Sequence, residues 1–288
     1  MTDSILVVVK GAGDLATGVA LRLHRVGMAV VMTEVQRPTV IRRTVAFAEA
    51  VYEGRVTVEH VEAELVDGRE AAERTISAGR IALMVDPSAE SALTLSPALV
   101  VDAIIAKRNT GTCITDAPAV VALGPGFAAG TDCHAVVETM RGHNLGRVIW
   151  QGAAAPNTGV PGEIGGAGAE RVLRAPGPGR FAGARRIGDV VAPGDVVGYV
   201  GDEPVVTTIG GVLRGLLHDD LEVTRGFKVA DVDPRADPSH CLTVSDKALA
   251  VAGGVVEAAG VLLGGFRAGE SWVAGCPVAP TADGLRGE

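Results

Sequence analysis

Apolar residues follow two rhythms along this chain. Up to about residue 150, runs of branched aliphatic residues alternate with segments of helical period; beyond about residue 170 the runs shorten and glycine or proline separates them. Ile5 to Val9 is an unbroken β-branched and aliphatic run, and Leu15, Val19 and Leu23 then recur at helical spacing, so a buried strand leading into a helix is predicted. A second strand runs from Ala29 to Met32 and ends at Glu34. Thr39 is placed to cap a helix carrying Val45, Ala48 and Tyr52 on one face, with Arg42 and Arg43 in its first turn. Val61 to Val66 alternates like a half-exposed strand, and Asp67 to Gly79 reads as a helix closed by glycine. Ile81 to Asp86 and Leu99 to Ile105 are buried strands that carry the acids Asp86 and Asp102, and Val120 to Leu123 adds another. His134 to Met140 fits either period, and Arg147 to Trp150 is a strand. Strands alternating with helices predict the α/β class, with a doubly wound, largely parallel Rossmann-like sheet over residues 1–166.

The Pro/Gly-rich run from Ala155 to Gly166 reads as a connector. Past it the sequence repeats itself at an offset of 32 residues: Gly179 aligns with Gly211, Phe181 with Leu213, Gly194 with Gly226, Val197 with Val229 and Val200 with Val232. Two copies of a short-strand unit predict a small all-β domain over residues 167–235. Ile187 to Val200 resembles the biotinyl and lipoyl carrier fold, the barrel-sandwich hybrid. A carrier needs a lysine between the two copies; Glu203 to Ile209 has none, so covalent biotin or lipoate is not expected. Ser245 is a cap for a helix from Asp246 to about Ala259, within a segment 236–264 that docks back on the sheet. Residues 265–288 lack periodicity and are expected to form a disordered tail.

Composition narrows the partners. The net charge is -8 and only 3% of residues are aromatic, which argues against a nucleic-acid surface. Cys113, Cys133, Cys241 and Cys276 are scattered without a C-x-x-C pair, as in reduced thiols of a cytoplasmic protein. The start lacks the basic region of a signal peptide, and the most apolar stretch, Ala248 to Gly265, is interrupted by Glu257 and several glycines, so no membrane span is expected.

The candidate chemistry sits first at the turn after the opening strand. Gly11, Gly13 and Ala16 match the G-x-G-x-x-G/A spacing of a phosphate-binding βα turn, and Glu34 stands where such folds place a ribose-binding acid. Asp14, Arg43 and Lys107 are candidates for ligand contact, Lys107 within the basic, hydroxyl-rich loop Lys107 to Thr112. Gly124 and Gly126 belong to a second glycine loop that allows close backbone approach. His143 is a further candidate for ligand contact and a candidate acid or base without an identifiable partner. Asp231 and Asp233, two apart in an extended chain, face one side and suit a shared cation or arginine. No zinc-hydrolase or serine-hydrolase motif occurs, and no metal site is expected.

Four stretches carry a specific resemblance: Lys10 to Gly18, Arg42 to Gly54, Glu138 to Gly146 and Pro156 to Glu163. Over roughly residues 4–260 they resemble the YqeB family of accessory proteins associated with selenium-dependent molybdenum hydroxylases. The resemblance implies a cytoplasmic maturation factor whose nucleotide-binding part is distantly similar to XdhC-type factors. It implies a molybdenum hydroxylase client and a phosphate-bearing ligand, a nucleotide or the molybdenum cofactor, and leaves homo-oligomerisation open. An NAD(P)-dependent oxidoreductase, supported by Gly11, Gly13, Ala16 and Glu34, and a scaffold or chaperone without a small ligand are the alternatives.

Overall fold

The computed structural model describes residues 4–159, 163 and 165–264; the expected tail lies outside them. The chain opens with β1 (Leu6–Lys10), α1 (Asp14–Arg25) and β2 (Ala29–Glu34). In place of the helix expected from Thr39 come two single-turn 3-10 helices, Arg43–Val45 and Phe47–Glu49, and the short α2 (Ala50–Glu53). The hairpin β3 (Arg55–Val58) and β4 (Val61–Val66), α3 (Gly68–Ser77), β5 (Ile81–Val85), α4 (Glu90–Leu93) and β6 (Leu99–Asp102) follow. Then come β7 (Ala119–Leu123), β8 (Ala128–Ala129), β9 (Ala135–Val137), β10 (Val148–Ile149) and β11 (Gly152–Ala153).

Nine of these strands form one sheet in the order β10-β9-β7-β6-β1-β2-β5-β4-β3. From β9 to β4 every pairing is parallel, and both edge strands run antiparallel. The central strands are continuous apolar runs because both faces are covered. One face packs on α3 and α4 around Val8, Val31, Ala82, Val100 and Val120, and the other packs on α1 and on α5 (Asp246–Leu262).

That last helix is capped as its sequence predicts: the Ala248 amide donates to Ser245 Oγ at 3.2 Å. Its small residues let it lie directly on α1 and on the loop before β10. A Cβ at Gly18 of α1 would meet Ala248 Cβ at 2.8 Å, and one at Gly254 would meet the Gly146 carbonyl oxygen at 2.2 Å.

The segment before α5 holds eight short strands: β12 (Val172–Arg174), β13 (Gly179–Gly183), β14 (Val190–Val191), β15 (Val196–Val200), β16 (Glu203–Val206), β17 (Gly211–Leu216), β18 (Glu222–Val223) and β19 (Lys228–Asp233). The 32-residue offset carries β13, β14 and β15 onto β17, β18 and β19. The two copies interleave, giving one sheet in the order β12-β19-β17-β14 and another in the order β16-β15-β13-β18. Their shared core is built from Phe181, Val197, Leu213, Leu217 and Val229, and Ile41 from the sheet domain inserts into it.

This architecture corrects the expected fold, a doubly wound Rossmann-like sheet with a free barrel-sandwich-hybrid carrier domain. The sheet is mixed, its β5 lies between β2 and the β3-β4 hairpin, and β6, β7 and β9 succeed one another without intervening helices. The helix that covers that half arrives from the far end of the chain. The β module is fastened rather than free: Leu216 N donates to the Ile41 carbonyl at 2.8 Å, and Arg43 Nε to that of Leu216 at 2.9 Å. A strand, a glycine turn and a helix are a local pattern that many sheet topologies share, so the motif did not specify strand order. Among the described residues no helix is long and apolar enough to cross a membrane.

Candidate functional site

The carboxyl ends of β1, β2 and β6 open into a cleft of about 1110 Å³ whose opposite wall is the β module. The turn after β1 forms its floor. Gly11 adopts φ +92°, and a Cβ there would press on the Ala103 carbonyl and Ile104 at 3.1 Å, so glycine is required by the protein's own packing. The turn's amides are partly consumed internally: Gly11 N donates to the Thr33 carbonyl at 2.8 Å and Ala12 N to Glu34 Oε2 at 2.9 Å. Glu34 Oε1 accepts from Val35 N at 2.8 Å, so this carboxylate ties β2 to the turn. Burial raises its pKa, opposed by these two amide hydrogen bonds.

Beneath the turn lies a buried polar relay. Lys10 Nζ donates to Thr112 Oγ1 at 2.7 Å, and that hydroxyl donates to Asp102 Oδ2 at 2.6 Å. Thr112 closes the loop that carries Lys107, which lines the cleft; Ile105 and Lys107 hold φ of 59° and 61°. Positive φ at a β-branched residue is a strained conformation that needs such anchoring. Asn109 supplies more of it, accepting from the Gly111 and Thr112 amides and donating to the Thr112 carbonyl.

The walls are strongly basic. Arg42, Lys107, Arg141, Arg171, Arg174, Arg214, Lys228 and Lys247 line the cleft against Asp14, Glu34, Glu138 and Asp231. Some of these charges are matched. Arg42 reaches Asp14 at 3.5 Å and the carbonyls of His240 and Thr243; Arg214 bridges Asp231 and Asp233 at 3.1 and 3.2 Å; Arg171 pairs with Asp231. Glu138 accepts three backbone amides, from Thr139, Met140 and Ala155. Lys228 and Lys247 are less well served. Burial lowers the pKa of both; Asp231 opposes the shift at Lys228, while Arg141 adds to it at Lys247. No histidine or cysteine lines the cleft among the described residues.

Of the residues singled out in the sequence, Gly11, Gly13, Asp14, Ala16, Glu34 and Lys107 come together here. Arg43 does not: it turns to Leu216 and to Glu49 at 2.9 Å, while its neighbour Arg42 enters the cleft. Gly124 and Gly126 are glycines for packing, since a Cβ would strike Thr139 Oγ1 at 2.5 Å or the Arg108 backbone at 2.6 Å. His143 sits on an exposed loop outside the cleft. The contributions of Arg171, Arg214, Lys228 and Lys247 were not foreseen. They come from the β module and α5, and only the topology brings them to the sheet edge.

Fold and site together define an α/β protein with an inserted, internally repeated β module and a basic cleft between the two. The chain is similar to the uncharacterized protein YqeB of Escherichia coli K12, 51% identical over 258 residues, which are 90% of this chain and 48% of that protein. This chain spans about half the length of that relative. No protein-family model matches. Solved structures with some likeness are an aspartoacylase family protein from Mesorhizobium loti (10% identity, 80% of this chain and 85% of that one, TM-score 0.25) and a succinylglutamate desuccinylase/aspartoacylase from Rhodobacter sphaeroides (14%, 78% and 86%, 0.22). A third is the ectoine utilization protein EutE from Ruegeria pomeroyi (11%, 80% and 86%, 0.23).

These findings correct the expected role in maturing selenium-dependent molybdenum hydroxylases. The E. coli relative is uncharacterized, and the solved structures bear aspartoacylase, desuccinylase and ectoine-utilization names, so none of them supports that role. The oxidoreductase alternative loses its main support, because Glu34, the acid expected at a ribose, has each carboxylate oxygen engaged by a backbone amide. At TM-scores of 0.22 to 0.25 the likenesses transfer no activity to this chain.

Proposed function

We propose that this chain binds a small organic acid carrying more than one negative charge, held between the sheet edge and the β module. The observation that carries the reading is the sign of the cleft: eight basic side chains face four acidic ones, in a protein whose net charge is -8. Lys228 and Lys247 sharpen it, because each is held where its charged form is disfavoured, and a bound anion reverses that cost. Leu15, Val40, Ile41, Ile104 and Met140 give the ligand's carbon skeleton an apolar lining.

Isothermal titration with citrate, succinate and inorganic phosphate, at low and high salt, tests the proposal. Saturable binding that weakens with salt is expected, and Lys228→Gln with Lys247→Gln lowers affinity about tenfold, the equivalent of about 1.4 kcal/mol. The reading fails if none of the three anions binds, or if the double variant binds them as the parent does.

A further inference from the structure

A second cluster of chemically competent side chains lies outside the cleft, where α2 meets the β module. Glu49, Glu53 and His218 each bring one ligand atom to within 4.8 Å of the other two. From these residues we propose a divalent transition-metal site of the zinc type, with two carboxylates and one imidazole as protein ligands and further positions left to water.

The imidazole separates this cluster from a group of surface acids. His218 Nδ1 lies 2.9 Å from the Asp219 carbonyl, which only accepts, so Nδ1 carries the proton and Nε2 the lone pair. Its ring stacks on Tyr52 with centroids 3.9 Å apart and planes at 17°, and Tyr52 is itself pinned by donating its hydroxyl to the Pro38 carbonyl at 2.7 Å. A histidine whose second nitrogen donates to a carbonyl, with its orientation fixed, is the usual arrangement of a metal-bound imidazole. Glu49 is oriented in the same way, since Arg43 Nη1 holds its Oε1 at 2.9 Å. Arg43 is in turn anchored to Leu216, two residues before His218. Glu53 stands one helical turn after Glu49, on the same side of the chain.

A mixed nitrogen and oxygen donor set suits zinc and its neighbours in the first transition series, whereas magnesium prefers oxygen ligands and retains its water. The ion would join α2 of the sheet domain to the turn after β17 and fasten one module to the other. No spacing motif announces the site because its ligands are 165 residues apart in sequence, His218 against Glu53.

The test is titration of the full chain, stripped with chelator, with zinc chloride and with magnesium chloride, read by calorimetry and by melting temperature. One zinc is expected to bind and to raise the melting temperature, with magnesium without effect. Glu53→Gln, which replaces an exposed side chain by one of equal size, and His218→Ala each weaken that binding at least tenfold. Cobalt(II) absorption supplies a readout that does not depend on stability: the visible bands of a nitrogen-containing site appear in the parent and are lost in His218→Ala. The site is refuted if zinc neither binds nor stabilises, or if both variants bind it like the parent. The outcome is independent of anion binding in the cleft, which Glu53→Gln leaves unchanged.

Discussion

Replacing Asp233 with asparagine removes one charge from a densely paired position, and the loss has a pH signature. The Asp233 side chain is fully buried at the end of β19, where it accepts from Arg214 at 3.2 Å, from Arg235 Nη2 at 2.6 Å, and from Arg235 Nε and its backbone amide at 2.9 and 3.1 Å. Burial alone raises its pKa; hydrogen bonds from Arg235 and the Arg214 charge outweigh that and bring it from 3.8 to about 2. A depression of that size corresponds to about 2 kcal/mol in favour of the folded, charged form. Because the folded pKa is the lower one, this stability is complete above pH 3.8 and is lost as pH falls towards 2. Urea unfolding of the parent and Asp233→Asn at pH 7, 5 and 3 measures it. The variant is expected to be less stable by about 2 to 3 kcal/mol at pH 7 and pH 5, the upper figure including the weakened hydrogen bonds from Arg214 and Arg235. The gap narrows clearly at pH 3. A difference that stays constant across the three pH values refutes the charge argument.

Three further outcomes follow from the packing. Thr112→Val is expected to cost about 3 kcal/mol in urea unfolding, because Lys10 and Asp102 lose the hydroxyl that joins them, while Thr112→Ser stays within about 1 kcal/mol of the parent; equal losses would remove the relay from the account. In α5, Gly253→Ala is expected to stabilise by about 0.8 kcal/mol, since nothing lies within 4 Å of the new methyl, and Gly254→Ala to destabilise by about 2 kcal/mol against the Gly146 carbonyl; melting temperatures moving in the same direction would contradict the docking of this helix. Burial, aided by Asp132, pushes the Cys133 thiol up to about 11, so iodoacetamide at pH 8 is expected to label exposed Cys113 first, as read by peptide mass spectrometry, and comparable labelling of Cys133 would count against its burial.

Local pattern carried much of the secondary structure. The β-branched run before Gly11, the helix with Leu15, Val19 and Leu23, and the Ser245 cap are all where periodicity puts them. Asp231 and Asp233 do share one arginine, Arg214, because alternate residues of a strand face one side. What the pattern lacked was arrangement. Thr39 to Glu53 has helical spacing, yet it folds as short turns because Ile41 and Arg43 are drawn into contact with the β module. Strand β3 carries no sequence signal of its own, because Arg55 to Val58 gains its pairing from β4. The cleft was half legible: residues at the sheet edge follow from strand ends, whereas Arg214, Lys228 and Lys247 reach it by long-range chain path that no local rule contains.

The return of α5 to the sheet also constrains how the molecule is made. The strands β7 and β9 and the inner side of α1 are covered by a helix that ends at Leu262, after the whole β module has been synthesised. On the ribosome, the apolar flank of the first domain therefore stays open while about a hundred further residues emerge, and all of the module's strands are synthesised before the helix that covers that flank. Truncations that end before Ser245 would expose this flank, so a free-standing sheet domain has to retain α5.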